Sequence, residues 1–180
     1  HQVEGEYSID GVPGSGAKVE LKFLEPGGSV TGKLLPTGNV TDAIKTSENG
    51  MFRVSIVDAA NPVVFIKASE LGLRGTEIDE IDSNAEILRK LEVIRSYAAV
   101  MMGLVKTPEE ATKHSRAIPK VAFVSEVKEY KTVGDQLITA TDIDLVARIM
   151  SMGKLHKAFA LTGAICTAGA AKIEGTVVNQ

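Results

Sequence analysis

Along the first 70 residues, apolar positions recur in short runs with a period near two, separated by turn signals, and this pattern predicts β structure. From Lys18 to Leu24, the side chains of Val19, Leu21 and Phe23 share one face. Glu25-Pro26-Gly27-Gly28 then reads as a turn, and Val30 to Leu35 as the returning strand of a hairpin. A further strand is predicted from Val40 to Thr46. Asn49-Gly50 follows as a two-residue hairpin turn, and Phe52 to Val57 as its partner strand. Asn61-Pro62 interrupts the apolar run, which resumes at Val63-Val64-Phe65-Ile66.

Beyond residue 70 the period changes. Ser83-Asn84-Ala85-Glu86 has the form of a capping box, and Ile87, Leu88, Leu91, Ile94, Tyr97, Ala98 and Met101 mark one stripe of a helix that stops at Gly103. Thr107 to Pro119 reads as a polar loop, Val121 to Val124 as a strand and Gln136 to Ala140 as a weaker one. Thr141 is placed as the cap of a second helix carrying Ile143, Val146, Ile149 and Met150, ending near Gly153. A third helix is predicted from Thr162, and Thr176-Val177-Val178 as a closing strand. Strands first and helices later, with no repeat and no linker, predict a single α+β domain over residues 1–180.

Composition narrows the function classes. Aromatic residues make up 4% of the chain and Trp is absent, so the core is built from Val, Ile, Leu, Ala and Met. Twenty basic residues stand against 23 acidic ones, a net charge of −3 without the basic excess that nucleic-acid binding needs. Cys166 is alone, which excludes an internal disulfide. His1, His114 and His156 lie far apart with no metal-ligand spacing, so neither a metal nor a cofactor is expected. No apolar run approaches the roughly 18 residues of a membrane span, and no secretory signal is visible, so a cytoplasmic setting is expected. The chain opens on His1 rather than Met, which suggests a fragment of a longer protein.

The most informative stretch runs from Ala160 to Ile173. Between Gly163 and Ala171 nearly every residue is small and none is charged, so the helix has no polar face and is expected to be buried on all sides. Its first N–H groups have no partner within the helix and carry partial positive charge. Thr162, Gly163 and Ala164 leave that backbone bare enough for a carboxylate or phosphate, with Lys154, His156 and Lys157 just upstream. A plainer reading, in which Thr162 caps and the glycines only pack, stands beside it. Asn61, in Asp58-Ala59-Ala60-Asn61-Pro62, offers a donor and an acceptor to a carboxylate; an Asx-type turn explains it equally well. Cys166 reads as a small apolar residue and His156 as a surface histidine. Gly11-Val12-Pro13-Gly14-Ser15-Gly16 has the wrong spacing for a dinucleotide fingerprint.

Several segments together resemble the PrpF family of the diaminopimelate-epimerase-like superfamily, which includes 2-methylaconitate cis-trans isomerase. They are Ile9 to Gly14, Lys33 to Asn39, Val57 to Pro62, Ser151 through Cys166 and Gly175 to Asn179, and they span nearly the whole chain. The resemblance implies a mixed β-sheet wrapped around a central buried helix. It also implies that this chain is the second of two domains, with substrate held between them and a homodimer possible. Asn61, Thr162, Gly163 and Ala164 would then contact a carboxylate. The activity implied is cofactor-independent isomerisation of an unsaturated di- or tricarboxylate such as 2-methylaconitate, by allylic proton abstraction. Superfamily racemases carry a cysteine before the Thr-Gly-Ala turn where this chain has Ala160, so the catalytic residues are expected in the missing first domain and the isolated chain is expected to be inactive. A non-catalytic carboxylate-binding or accessory module that keeps the fold is the alternative.

Overall fold

The apolar run around Asn61 folds back on itself as two neighbouring strands. The structure, a computed structural model, describes residues 3–9, 14–46 and 50–180. Strands β1 (Asp42–Thr46), β2 (Gly50–Ala59), β3 (Asn61–Lys67), β4 (Lys120–Ser125), β7 (Val146–Ser151) and β8 (Lys154–Leu155) form a six-stranded sheet in the order β1-β2-β3-β4-β7-β8. Only β3 and β4 run parallel, and the segment connecting them carries helices α1 (Asp79–Ser83), α2 (Ala85–Met101) and α3 (Pro108–His114). Strands β5 (Tyr130–Lys131) and β6 (Leu137–Ile138) form a separate ribbon, and α4 spans Leu161–Lys172. Among the described residues no helix is long and apolar enough to cross a membrane.

The alternation of side chains along the strands builds two cores. On one face Val54, Ile56, Val64, Ile66, Val121 and Phe123 pack against Leu91, Ile94 and Ala98 of α2. On the other, Val57, Val63, Phe65, Ala122 and Ile149 pack against Cys166 and Ala170 of α4. Each fully buried Leu or Ile contributes roughly 2 kcal/mol. Strands covered on both faces read as continuous apolar runs, which is why β3 and β4 were legible.

Several expectations are corrected. Lys18–Leu24 forms no strand: Val19 and Leu21 are 76% and 63% exposed, and no neighbouring strand pairs with them among the described residues. Val30–Leu35 folds into turns around Asp58. Asn84, not Ser83, caps α2 by accepting from the Ile87 N–H at 3.1 Å. The stretch expected as a loop contains α3, whose signal was Thr107-Pro108-Glu109-Glu110: Thr107 Oγ1 accepts from the Glu110 N–H and proline takes the first helical position. The helix expected after Thr141 is strand β7. Ile149 and Met150 are buried on opposite faces of the sheet there, so the strand shows no alternation and its spacing imitates a helical stripe. Thr176–Val178 is a turn across the end of α4, where Thr176 Oγ1 donates to Ala170 O at 2.8 Å. Asn49 and residues 10–13, including most of the Ile9–Gly14 motif, lie outside the described residues.

The sheet does not wrap α4. It covers one side of the helix, where Gly163, Cys166, Thr167 and Ala170 are buried, and leaves Leu161, Ala164, Ala168 and Lys172 exposed. The absence of charge between Gly163 and Ala171 therefore does not mark burial on all sides in this chain. Alanine is tolerated on an exposed helix face because it favours the helix and presents little apolar area.

Candidate functional site

Asn61 is the first residue of β3, directly after the corner at which β2 turns back. Ala60 alone makes that corner, with φ at 61°, in the left-handed region that a residue with a Cβ seldom adopts. The parity of β3 sends Asn61 to the face of Val63 and Phe65, the face that α4 covers. There its Nδ2 lies 3.5 Å from Thr162 Oγ1 in the first turn of α4, while its Oδ1 is buried without a partner. With the amide turned over, Oδ1 accepts from the Thr162 hydroxyl and the NH2 group becomes the free end. In either orientation one end of the amide is buried without a partner.

The start of α4 differs from expectation in register. Ala160 occupies the cap position and supplies no side-chain hydrogen bond, so Thr162 lies inside the first turn and is not the cap. Because Ala160 is the cap, the Ala164 N–H already donates to Ala160 O at 2.8 Å and is not a free donor. The unpaired amides are those of Leu161, Thr162 and Gly163. Gly163 sits close against β7: a Cβ there would stand 2.5 Å from Ile149 Cδ1, so a larger residue would require the Ile149 side chain to turn aside.

Two residues that the sequence reading passed over share this face. Lys120 begins β4 two residues before Ala122, and Ser151 ends β7 two residues after Ile149. Both point to the α4 side, and Lys120 Nζ donates to Ser151 Oγ at 3.3 Å. Lys120 is half-buried, burial pushes its ammonium below the ordinary lysine range, and no ion pair to it forms among the described residues. Val63 pairs with Lys120, which sets Asn61 two residues upstream on the adjacent strand. A cation opening an otherwise apolar strand was a visible signal, but its nearness to Asn61 depends on a parallel pairing across more than 50 residues. His156 is half-buried rather than a surface residue. Its N–H donates to Ile149 O at 2.9 Å, and its Nδ1 is buried without a partner. Lys157 is turned to Asp79, 3.0 Å away.

Other candidates do not join this group. Cys166 is fully buried and donates to Val57 O at 3.3 Å; burial pushes its thiol up to about 12. Asp58 is also fully buried. Burial alone would raise its carboxyl, but donors from Ser29, Thr31 and Val30 outweigh this and hold it below its ordinary 3.8. No group of three His, Cys, Asp or Glu side chains able to hold a metal occurs among the described residues. One end of one sheet face thus collects Asn61, Lys120, Ser151, His156 and the free amides of α4. It is rich in donors and poor in acids, which suits a carboxylate.

Comparison with known proteins points the same way. A family model described as "PrpF protein" matches residues 1–180. The 3-methylitaconate isomerase of Eubacterium barkeri is 45% identical over 181 residues, covering 99% of this chain and 47% of that protein. The 2-methyl-aconitate isomerase of Shewanella oneidensis is 38% identical over 182 residues, covering 99% and 46%. A crystal structure of methylitaconate-delta-isomerase superposes with a TM-score of 0.90 at 44% identity, covering 99% of this chain and 46% of that one. The chain therefore spans a little under half the length of these relatives. Silence of the chain on its own draws no support from these matches.

Proposed function

The chain belongs to the PrpF family, and from that premise we propose that it supplies the carboxylate-binding part of an isomerase acting on an unsaturated di- or tricarboxylate. In such a reaction a proton leaves the carbon next to a double bond, the double bond shifts or turns, and a proton returns. Removing the proton spreads negative charge onto a conjugated carboxylate. The contribution of this chain is to meet that charge with groups already in place: the ammonium of Lys120, the free end of the Asn61 amide and the first amides of α4. Fixed donors in a half-buried site need no reorganisation as charge develops, and removing one costs roughly 2.7–4 kcal/mol where the geometry is tight. Ser151 holds the Lys120 ammonium from one side and leaves its remaining N–H groups free. Cys166 takes no part in this chemistry, because it is buried and hard to ionise. The base, in the reading implied by the family, lies outside this chain.

The observation that carries this reading is Lys120, a half-buried cation without an acid partner on the face and at the sheet end that also hold Asn61 and Thr162. The test is kinetic, in the intact protein, with 3-methylitaconate and 2-methylaconitate as substrates. Lys120→Met and Asn61→Ala are each expected to lower kcat/KM by about 30-fold or more while leaving the melting temperature within a few degrees. Turnover of neither acid by the wild-type protein, or variants that fold and retain full kcat/KM, would overturn the proposal.

A further inference from the structure

Pro26–Leu34 contains no helix or strand, yet it is tied at several points to Asp58. The Asp58 N–H donates to Leu34 O at 2.9 Å and the Gly28 N–H donates to Asp58 O at 2.7 Å. Next to it, the Ala60 N–H donates to Pro26 O at 2.7 Å. The Asp58 carboxylate accepts from Ser29 Oγ at 2.6 Å, Thr31 Oγ1 at 2.9 Å and the N–H groups of Val30 and Thr31 at 2.9 and 2.7 Å. These neutral donors are its whole counterpart, since no cation pairs with it among the described residues. Gly28 makes the turn possible: its φ is +74°, and a Cβ there would stand 2.6 Å from the carbonyl carbon of Gly32.

This loop grips the corner that precedes Asn61. A residue with a Cβ is strained in the left-handed region, so Ala60 keeps φ at 61° only because its surroundings hold it there. The holding contacts are the Ala60–Pro26 hydrogen bond and the antiparallel bridge between Gly27 and Ala59. Both depend on the loop keeping its shape around Asp58. Asn61 follows one residue later, and from this corner its Nδ2 stands 3.5 Å from Thr162 Oγ1.

We infer that Asp58 is a positioning residue: by folding Pro26–Leu34 around its carboxylate it fixes the Ala59–Ala60 corner and so aims Asn61 at the start of α4. The inference rests on the function proposed above, because it gives Asp58 its effect through Asn61.

A double-mutant cycle in the intact protein separates this role from a purely structural one. Asp58→Asn and the milder Thr31→Val, which removes a single donor, are each measured alone and combined with Asn61→Ala, with 3-methylitaconate and 2-methylaconitate as substrates. The expected result is a fall in kcat/KM of about tenfold for Asp58→Asn and about threefold for Thr31→Val in the wild-type background, with little further loss once Asn61 is already alanine. Losses that multiply fully onto Asn61→Ala, or variants that fold and keep full kcat/KM, overturn the inference. Should Asp58→Asn fail to fold, Thr31→Val decides the question by the same criterion. An Asn61→Ala protein with unchanged kcat/KM would overturn the proposed site, and this inference with it.

Discussion

Asp58, Cys166 and Lys120 are all withdrawn from water, and each carries a different consequence. The Asp58 carboxyl is held below its ordinary 3.8 despite burial, because Ser29, Thr31 and Val30 donate to its ionised form. A group whose folded value is depressed adds stability that is complete above its unfolded value and is lost as pH falls through its folded value. Thermal melts should therefore show the gap between wild type and Asp58→Asn at its widest above about pH 5, narrowing below about pH 4. A gap that stays unchanged as pH falls from about 5 to well below 4 would contradict the assignment. For Cys166, pushed up to about 12 and fully buried, thiol reagents should react only as the protein unfolds. Cys166→Ala should keep kcat within about threefold; a loss of two orders of magnitude or more without unfolding would contradict this. Asn61 was legible because a polar residue and a proline broke an apolar run. Lys120 was visible as a cation opening an apolar strand, but its place beside Asn61 was not, because it rests on the parallel pairing of β3 with β4.

At the scale of elements, the sequence was most readable where burial is continuous and least where pairing decides. β2, β3, β4 and α2 follow from apolar runs and a helical stripe. β7 was misread because an interior strand and a helical face can share the spacing of Val146, Ile149 and Met150, and only the presence of β4 beside it settles the matter. Lys18–Leu24 shows the converse, an alternating pattern with no partner strand among the described residues. For α4 the small residues were legible, but which of them face the sheet was not. The structure makes that distinction testable by substitutions on opposite sides of one helix. Gly163→Val places a branched side chain against Ile149 Cδ1 and should destabilise the fold by about 1–3 kcal/mol in urea unfolding. Ala164→Ser, one residue on and exposed, should stay within about 0.5–1 kcal/mol. Equal costs at both positions would mean that α4 is covered on both sides.

In the molecule as a whole, the sheet acts as a platform with two unequal faces. The α2 face is closed by a long amphipathic helix and serves stability. The α4 face gathers at one end an amide with a buried unpartnered oxygen, a histidine with a buried unpartnered nitrogen, an ammonium with no acid partner among the described residues, and the first amides of a helix. On the function proposed above, a substrate carboxylate would accept from the Lys120 ammonium, from the Asn61 NH2 group with the amide turned over and from the first amides of α4. The most direct measurement is the position of 3-methylitaconate in a crystal structure of the intact protein. The account predicts one carboxylate within hydrogen-bond reach of Lys120 Nζ and the Asn61 amide, close to the start of α4. A bound acid elsewhere, with these groups still unpaired, would contradict it.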